Sequence, residues 1–339
     1  KQQYEETKQF TDNYFPLNKE CFRQRKESGK IRECHGDLHL NNICLWNNKI
    51  QLFDRIEFNE EFCLVDVMFD VAFTIMDLDA KNHQKFSNIF LNTYLENTGD
   101  WEGLQVLPLY LSRQAYVRAK VNSMLFDDPD ISQAEKQEAI QTAANYYHLA
   151  WQYTQRHQGK IIMMSGLSGS GKTTVAKYLA QDINGIIIRS DAIRKHIAGI
   201  PLNQSGGEEI YTKEMNKKTY NRVVKLGKIL AKQGFIVILD AKFDRHYWRE
   251  QVINIAKNNK ILLTILHCDA PIEILSDRLS QRSGDISDAT ASLLQQQENE
   301  AESFNELEKS YVKILDTTTD WKSHLNSLFP EEKIMTRSP

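Results

Sequence analysis

Gly166-Leu167-Ser168-Gly169-Ser170-Gly171-Lys172-Thr173 is the stretch from which the rest of the chain is read. Its pattern is G-x-x-x-x-G-K-[ST], the phosphate-binding P-loop. The apolar run Ile161-Ile162-Met163-Met164 before it predicts a buried parallel strand. Residues 174–180 after it have helical periodicity. Glycines at these spacings let successive backbone N–H groups turn inward around a phosphate, and the helix N-terminus adds the positive end of its dipole. On this reading Gly166, Ser168, Gly169, Ser170, Gly171 and Thr174 form a nucleotide cradle. Lys172 reaches the β- and γ-phosphates of ATP, and the Thr173 hydroxyl holds Mg²⁺.

Further along, apolar runs recur at 186–189, 235–239, 261–267 and 312–315, with helical segments between them. Alternating strands and helices predict a doubly wound parallel sheet of the P-loop NTPase kind, closed by a helix over 317–329 and followed by ten loose residues. The second strand runs into Ser190-Asp191-Ala192-Ile193-Arg194. An acid at the carboxyl edge of a strand beside the P-loop stands where open α/β sheets bind ligands. There Asp191 can accept the proton of an attacking hydroxyl, and Arg194 can clamp the transferring group. Ile236-Val237-Ile238-Leu239-Asp240 is Walker-B-like and places Asp240 on the Mg²⁺ shell or its water. Arg278 and Arg282, four apart and followed by the polar segment from Ser283 to Ala289, predict a cationic lid over ATP.

Composition narrows the class. The chain has 339 residues, 41% apolar and 26% charged, enough for about two domains. A net charge of −3 argues against a general nucleic-acid binder. No run approaches the roughly 18 apolar residues of a membrane span, and the first residues are polar rather than signal-like. Five scattered cysteines without a C-x-x-C pair suit a reducing cytoplasm and no structural zinc. A short helix stop at 156–159 sets the expected domains at 1–156 and 157–339.

The first of these carries a second phosphoryl-transfer layout. Residues 1–33 read as a mostly helical lead-in. Then comes Cys34-His35-Gly36-Asp37-Leu38-His39-Leu40-Asn41-Asn42, followed by the strand Ile50-Gln51-Leu52-Phe53 and Asp54. One Asp takes the acceptor proton, while the Asn and the second Asp hold Mg²⁺. Leu64 to Leu78 reads as a buried helix, with Asp66 and Asp70 on one face and either bracing the loop or lying at a solvated edge.

His35-Gly36-Asp37-Leu38-His39-x-x-Asn42 resembles the catalytic loop of the aminoglycoside phosphotransferase and choline kinase group. The resemblance implies a mainly helical, protein-kinase-like C-lobe, with Asp37 as catalytic base and Asn42 and Asp54 as Mg²⁺ ligands. Only 34 residues precede His35, so the ATP-binding N-lobe of such a kinase is expected to be absent and the Asp37 site inactive in this chain. The P-loop half resembles small P-loop kinases: polynucleotide kinase, zeta-toxin-like kinases, gluconate kinase and chloramphenicol phosphotransferase. Together the halves resemble a bacterial fusion of an aminoglycoside-phosphotransferase-type domain with a P-loop kinase domain, labelled AAA family ATPases. The implied activity is ATP- and Mg²⁺-dependent transfer to a hydroxyl acceptor. A small molecule is favoured, and a nucleic-acid 5′ end stays among the candidates. The other class kept open is a nucleotide-driven switch acting on a protein partner.

Overall fold

A computed structural model describes residues 1–282 and 284–330. The expectations for residues 331–339 and for Ser283 lie outside the described residues. The chain divides into two compact units. One is Lys1–Leu91 with Glu102–Arg156, and the other is Asn92–Trp101 with the described residues from His157 onward.

The first unit opens with α1 (Gln2–Leu17), α2 (Lys19–Glu27) and β1 (Ile31–Glu33). A hairpin follows, β2 (Ile43–Trp46) against β3 (Lys49–Leu52), turning on Asn47 and Asn48 in the left-handed conformation at φ 49° and 57°. Asn accepts that geometry more readily than other side chains. Next come α3 (Glu60–Cys63), β4 (Leu64–Asp66), α4 (Val67–Ala80), α5 (Gln84–Thr98), α6 (Leu107–Met124) and α7 (Gln133–Gln152). The division between units falls within α5. Buried Met68, Ala72, Met76, Leu111, Ala115 and Ala143 supply the apolar faces of α4, α6 and α7.

Leu64 to Leu78 is not one helix, because Leu64–Asp66 pairs antiparallel with Ile31–Glu33, which had been read as part of the helical lead-in. The break has a local cause. The Asp66 carboxylate accepts the Met68 N–H at 2.9 Å, capping α4, and takes both arms of buried Arg25 at 2.6 Å. Asp66 and Asp70 therefore do not share a helix face, and both are buried, which removes the solvated-edge alternative. Stranding either member of the Arg25–Asp66 pair is expected to cost about 3–5 kcal/mol.

The second unit runs β5 (Lys160–Ser165), α8 (Lys172–Ile183), β6 (Ile186–Arg189), α9 (Ser190–Ala198), α10 (Lys213–Lys232) and β7 (Ile236–Asp240). It continues with α11 (His246–Asn259), β8 (Leu262–Asp269), α12 (Ile272–Gln281), α13 (Leu294–Glu300), α14 (Glu306–Lys309), β9 (Val312–Asp316) and α15 (Trp321–Leu328). The sheet order is β6-β7-β5-β8-β9, parallel throughout. Central β5 is buried at every position, as expected for a parallel strand covered on both faces. Ile162, Met164, Val175, Leu179, Ile238 and Leu315 belong to one core between sheet and helices. The closing helix begins at Trp321 rather than 317. Thr317 is drawn into a turn, with its N–H on the Asp269 carbonyl at 3.0 Å, and Asp320 then caps α15.

Candidate functional site

The loop between β5 and α8 has the geometry its glycines require. Gly166 (φ 132°) and Gly169 (φ 82°) lie at positive φ, and a Cβ on Gly166 would fall 2.3 Å from the Cys268 carbonyl oxygen. Lys172, the first residue of α8, is buried and donates from Nζ to the Leu167 carbonyl at 2.7 Å. Burial pushes its pKa down, against the attraction of Asp240. The Ser168 N–H donates to Gln297 Oε1 at 3.1 Å.

Strand register brings the next residues in. Met163 pairs with Leu239, so β5 and β7 end side by side, and Thr173 Oγ1 donates to Asp240 Oδ2 at 2.7 Å. Burial raises the Asp240 pKa, opposed by Arg189, the Thr173 hydrogen bond and Lys172. A hydroxyl beside a buried carboxylate is a hard-oxygen donor pair. Mg²⁺ characteristically takes one or two such protein ligands and completes its shell with water and phosphate oxygens. The residues present therefore fit that ion.

These groups line a cleft of about 1230 Å³. Asp191 and Arg194 line it too. Asp191 stands in the first turn of α9, where Arg189 holds the cap position without a side-chain capping bond. Its carboxylate is therefore not spent as a cap. Arg194 is buried, donates from Nη1 to the Ile210 carbonyl at 3.0 Å, and lies 4.9 Å from the Tyr211 ring centroid.

Arg278 and Arg282 reach the same cleft, each with protein partners. Arg278 donates to Thr317 Oγ1 and O at 2.9 and 2.8 Å and to the Gly169 carbonyl at 3.4 Å, tying α12 to the P-loop. Arg282 donates to the Ser287 and Ala289 carbonyls, shaping the segment that follows α12. Carboxylates in that segment make the contacts across the cleft. Asp285 pairs with Arg189, and Asp288 accepts the Gly206 N–H at 3.0 Å and the Tyr211 hydroxyl at 2.8 Å.

Arg189 is the residue that pattern reading missed. It is buried among Asp285, Glu96 at 3.6 Å and Asp240 at 3.9 Å. Its position at the carboxyl end of β6, one strand from β7, was the available signal. Its pairing with Asp285 spans 96 positions and leaves no local pattern.

Asp37, Asn42 and Asp54 belong to the first unit. Asn42 Nδ2 donates to the Asp37 carbonyl at 3.0 Å, and the Phe53 N–H donates to the Asn42 carbonyl at 3.1 Å. Asp37 Oδ2 lies 3.4 Å from His39 Nε2, and Asp54 adopts a left-handed φ of 59°. Asp70 braces this loop by accepting the His35 and Gly36 N–H groups at 2.6 and 3.0 Å.

The family match bears on the second unit. Residues 161–304 match the family model described as an AAA domain. The second unit has a P-loop kinase-like α/β fold. A guanylate kinase of Rickettsia prowazekii is 29% identical over 193 residues, 52% of this chain and 94% of that protein. A probable adenylyl-sulfate kinase of Bacillus subtilis is 28% identical over 127 residues, 36% of this chain and 60% of that protein. An uncharacterized protein of Mycobacterium tuberculosis is 27% identical over 286 residues, 83% of this chain. The chain spans 56% of that relative's length. No helix among the described residues is long and apolar enough to cross a membrane.

Proposed function

We propose that the second unit is an ATP-dependent kinase that moves the γ-phosphoryl group of ATP to a hydroxyl acceptor. The observation that carries this is Asp191. It is a carboxylate without a capping role, on the same cleft as Lys172, Thr173 and Asp240. The acceptor oxygen attacks the γ-phosphorus while its proton passes to Asp191, and the bond to the β,γ-bridging oxygen breaks to release ADP. Backbone N–H groups of Gly169 and residues 171–174 and the Lys172 ammonium hold the phosphate oxygens, while the N–H groups of Gly166, Ser168 and Ser170 donate to Lys242, Gln297 and Leu167. Thr173 and Asp240 would hold Mg²⁺, which neutralises charge on the transferring group. Arg278 holds the P-loop in place, and Arg282 shapes the segment closing one side of the cleft. Relatives named guanylate kinase and adenylyl-sulfate kinase support the same reading.

For the first unit, the proposal is a kinase-like C-lobe with Asp37 as base and Asn42 and Asp54 as metal ligands. The hydrogen bonds fixing that loop support it. The whole is then a fusion of an aminoglycoside-phosphotransferase-like domain with a P-loop kinase domain.

The test is ADP release from ATP and Mg²⁺ across a panel of hydroxyl compounds. One acceptor class is expected to raise turnover. Lys172→Ala should abolish the gain, and Asp191→Asn should lower it by roughly 10²–10⁴-fold. Turnover indifferent to every acceptor and to Asp191→Asn would point to a nucleotide switch instead.

A further inference from the structure

β6 is the outermost strand on its side of the sheet, so the backbone groups on its free edge need partners from elsewhere. Residues 92–101, which belong to the second unit although they precede its first strand, supply them. Asn92 accepts the Ile187 N–H at 2.7 Å through Oδ1 and donates from Nδ2 to the Gly185 carbonyl at 3.0 Å. Trp101 Nε1 donates to the Ile187 carbonyl at 2.9 Å, and His196 Nε2 on α9 donates to the Glu96 carbonyl at 2.7 Å. This segment lies outside residues 161–304, the stretch that the family model matches. Its bonds fix the strand that ends in Arg189 and set the Glu96 side chain beside that arginine.

The Arg189 guanidinium stands among three carboxylates, and two of them grip its terminal nitrogens. Nη2 donates to Asp285 Oδ1, and Nη1 lies 3.6 Å from Glu96 Oε1. Nε faces Asp240 Oδ2 at 3.9 Å, too far for a hydrogen bond, and is a buried donor with no hydrogen-bond partner. Leaving a buried charged donor unpaired is costly, so its surroundings must impose it. A small shift of the guanidinium would close the gap and pair Nε with Asp240. That pairing would occupy the carboxylate oxygen that accepts the Thr173 hydroxyl and that a hard cation needs. The grip of Glu96 and Asp285 keeps the arginine near enough to offset the buried Asp240 charge and far enough to leave its oxygens open.

We propose that Glu96 is a positioning residue of the nucleotide site: by holding Arg189 back from Asp240, it keeps that carboxylate free for Mg²⁺. This rests on the placement of Mg²⁺ at Thr173 and Asp240 in the reading above, and not on the acceptor.

The experiment titrates the full chain with a fluorescent ATP analogue, in EDTA and across a range of Mg²⁺ concentrations, and follows thermal unfolding alongside. In the parent chain Mg²⁺ should tighten nucleotide binding. Glu96→Gln should raise the Mg²⁺ concentration that gives half of this gain by about three- to tenfold, within the range of coupling between charges in contact. Metal-free affinity and the unfolding temperature should barely move. Arg189→Gln removes the cation that would fall onto Asp240, so adding Glu96→Gln to it should shift the curve no further. Asp285→Asn releases the second hold and should shift the curve in the same direction as Glu96→Gln, which answers the question by itself if the Glu96 variant does not fold. Equal weakening of metal-free and Mg²⁺-dependent binding would make Glu96 a structural contact alone and overturn the inference. So would an unmoved Mg²⁺ curve, or a shift that persists at full size in the Arg189→Gln background. If Mg²⁺ does not tighten nucleotide binding in the parent chain, the metal placement falls and the inference falls with it. If the predicted shifts are seen but no acceptor raises turnover, the kinase reading falls and the inference stands.

Discussion

At the scale of single residues, the site depends on short contacts that allow little substitution. Gly166→Ala would set a Cβ 2.3 Å from the Cys268 carbonyl oxygen, at a φ of 132° that side chains avoid. Loss of nucleotide binding is expected, read by titration with a fluorescent ATP analogue. Thr173→Val keeps the side-chain volume and deletes the hydroxyl 2.7 Å from Asp240. It should weaken the Mg²⁺ requirement curve severalfold or more, with a smaller effect on metal-free nucleotide binding. The P-loop was legible from sequence because its chemistry is written in eight consecutive residues. Arg189 was not, because a buried cation among Glu96, Asp240 and Asp285 exists only once residues distant in sequence are packed together.

At the scale of elements, strands five or more residues long declared themselves by composition, whereas three-residue β1 and β4 did not. A run such as Leu64-Val65-Asp66 reads as helix until the cap at Asp66 and its Arg25 partner are seen. The pairing of α11 with α14 illustrates energetics of the same kind. Arg249 and Glu308, each 1% exposed, are joined by Nε–Oε1 and Nη2–Oε2 bonds of 2.8 and 3.1 Å. Burial works against the Glu308 charge, but bonds from Arg249, the Asn305 N–H and His246 outweigh it and hold the carboxyl below the usual range. A carboxyl depressed in the folded state gives stability that is complete above the unfolded pKa of about 4.3 and is lost as pH falls through the lower folded value. Thermal unfolding between pH 7 and pH 3 should therefore show a larger acid loss in the parent chain than in Glu308→Gln. That variant should already be destabilised by about 3–5 kcal/mol at neutral pH. An equal acid loss in both would contradict the assignment.

At the scale of the whole molecule, the chain divides into two units, and a phosphoryl-transfer layout is proposed for each. Saturation with ATP at about 100 times Kd should stabilise the state that binds it by about 2.7 kcal/mol. In hydrogen exchange, that protection is expected at residues 166–174 and at the ends of β6 and β7. Protection confined to the loop around Asp37 would place nucleotide in the first unit and contradict the account. The fold of the second unit was legible from strand–helix alternation. The first unit's loop around Asp37 stood out as a motif, and its bracing by Asp70 was one of two alternatives that only the buried hydrogen bonds to His35 and Gly36 decide.

The most direct test of the central claim is the fate of the γ-phosphoryl group. Phosphorus NMR of ATP, Mg²⁺ and the acceptor panel with the purified chain would follow it. The account predicts a new phosphomonoester resonance growing in step with ADP, absent in Lys172→Ala and strongly slowed in Asp191→Asn. Inorganic phosphate as the only product, at a rate no acceptor changes, would contradict it.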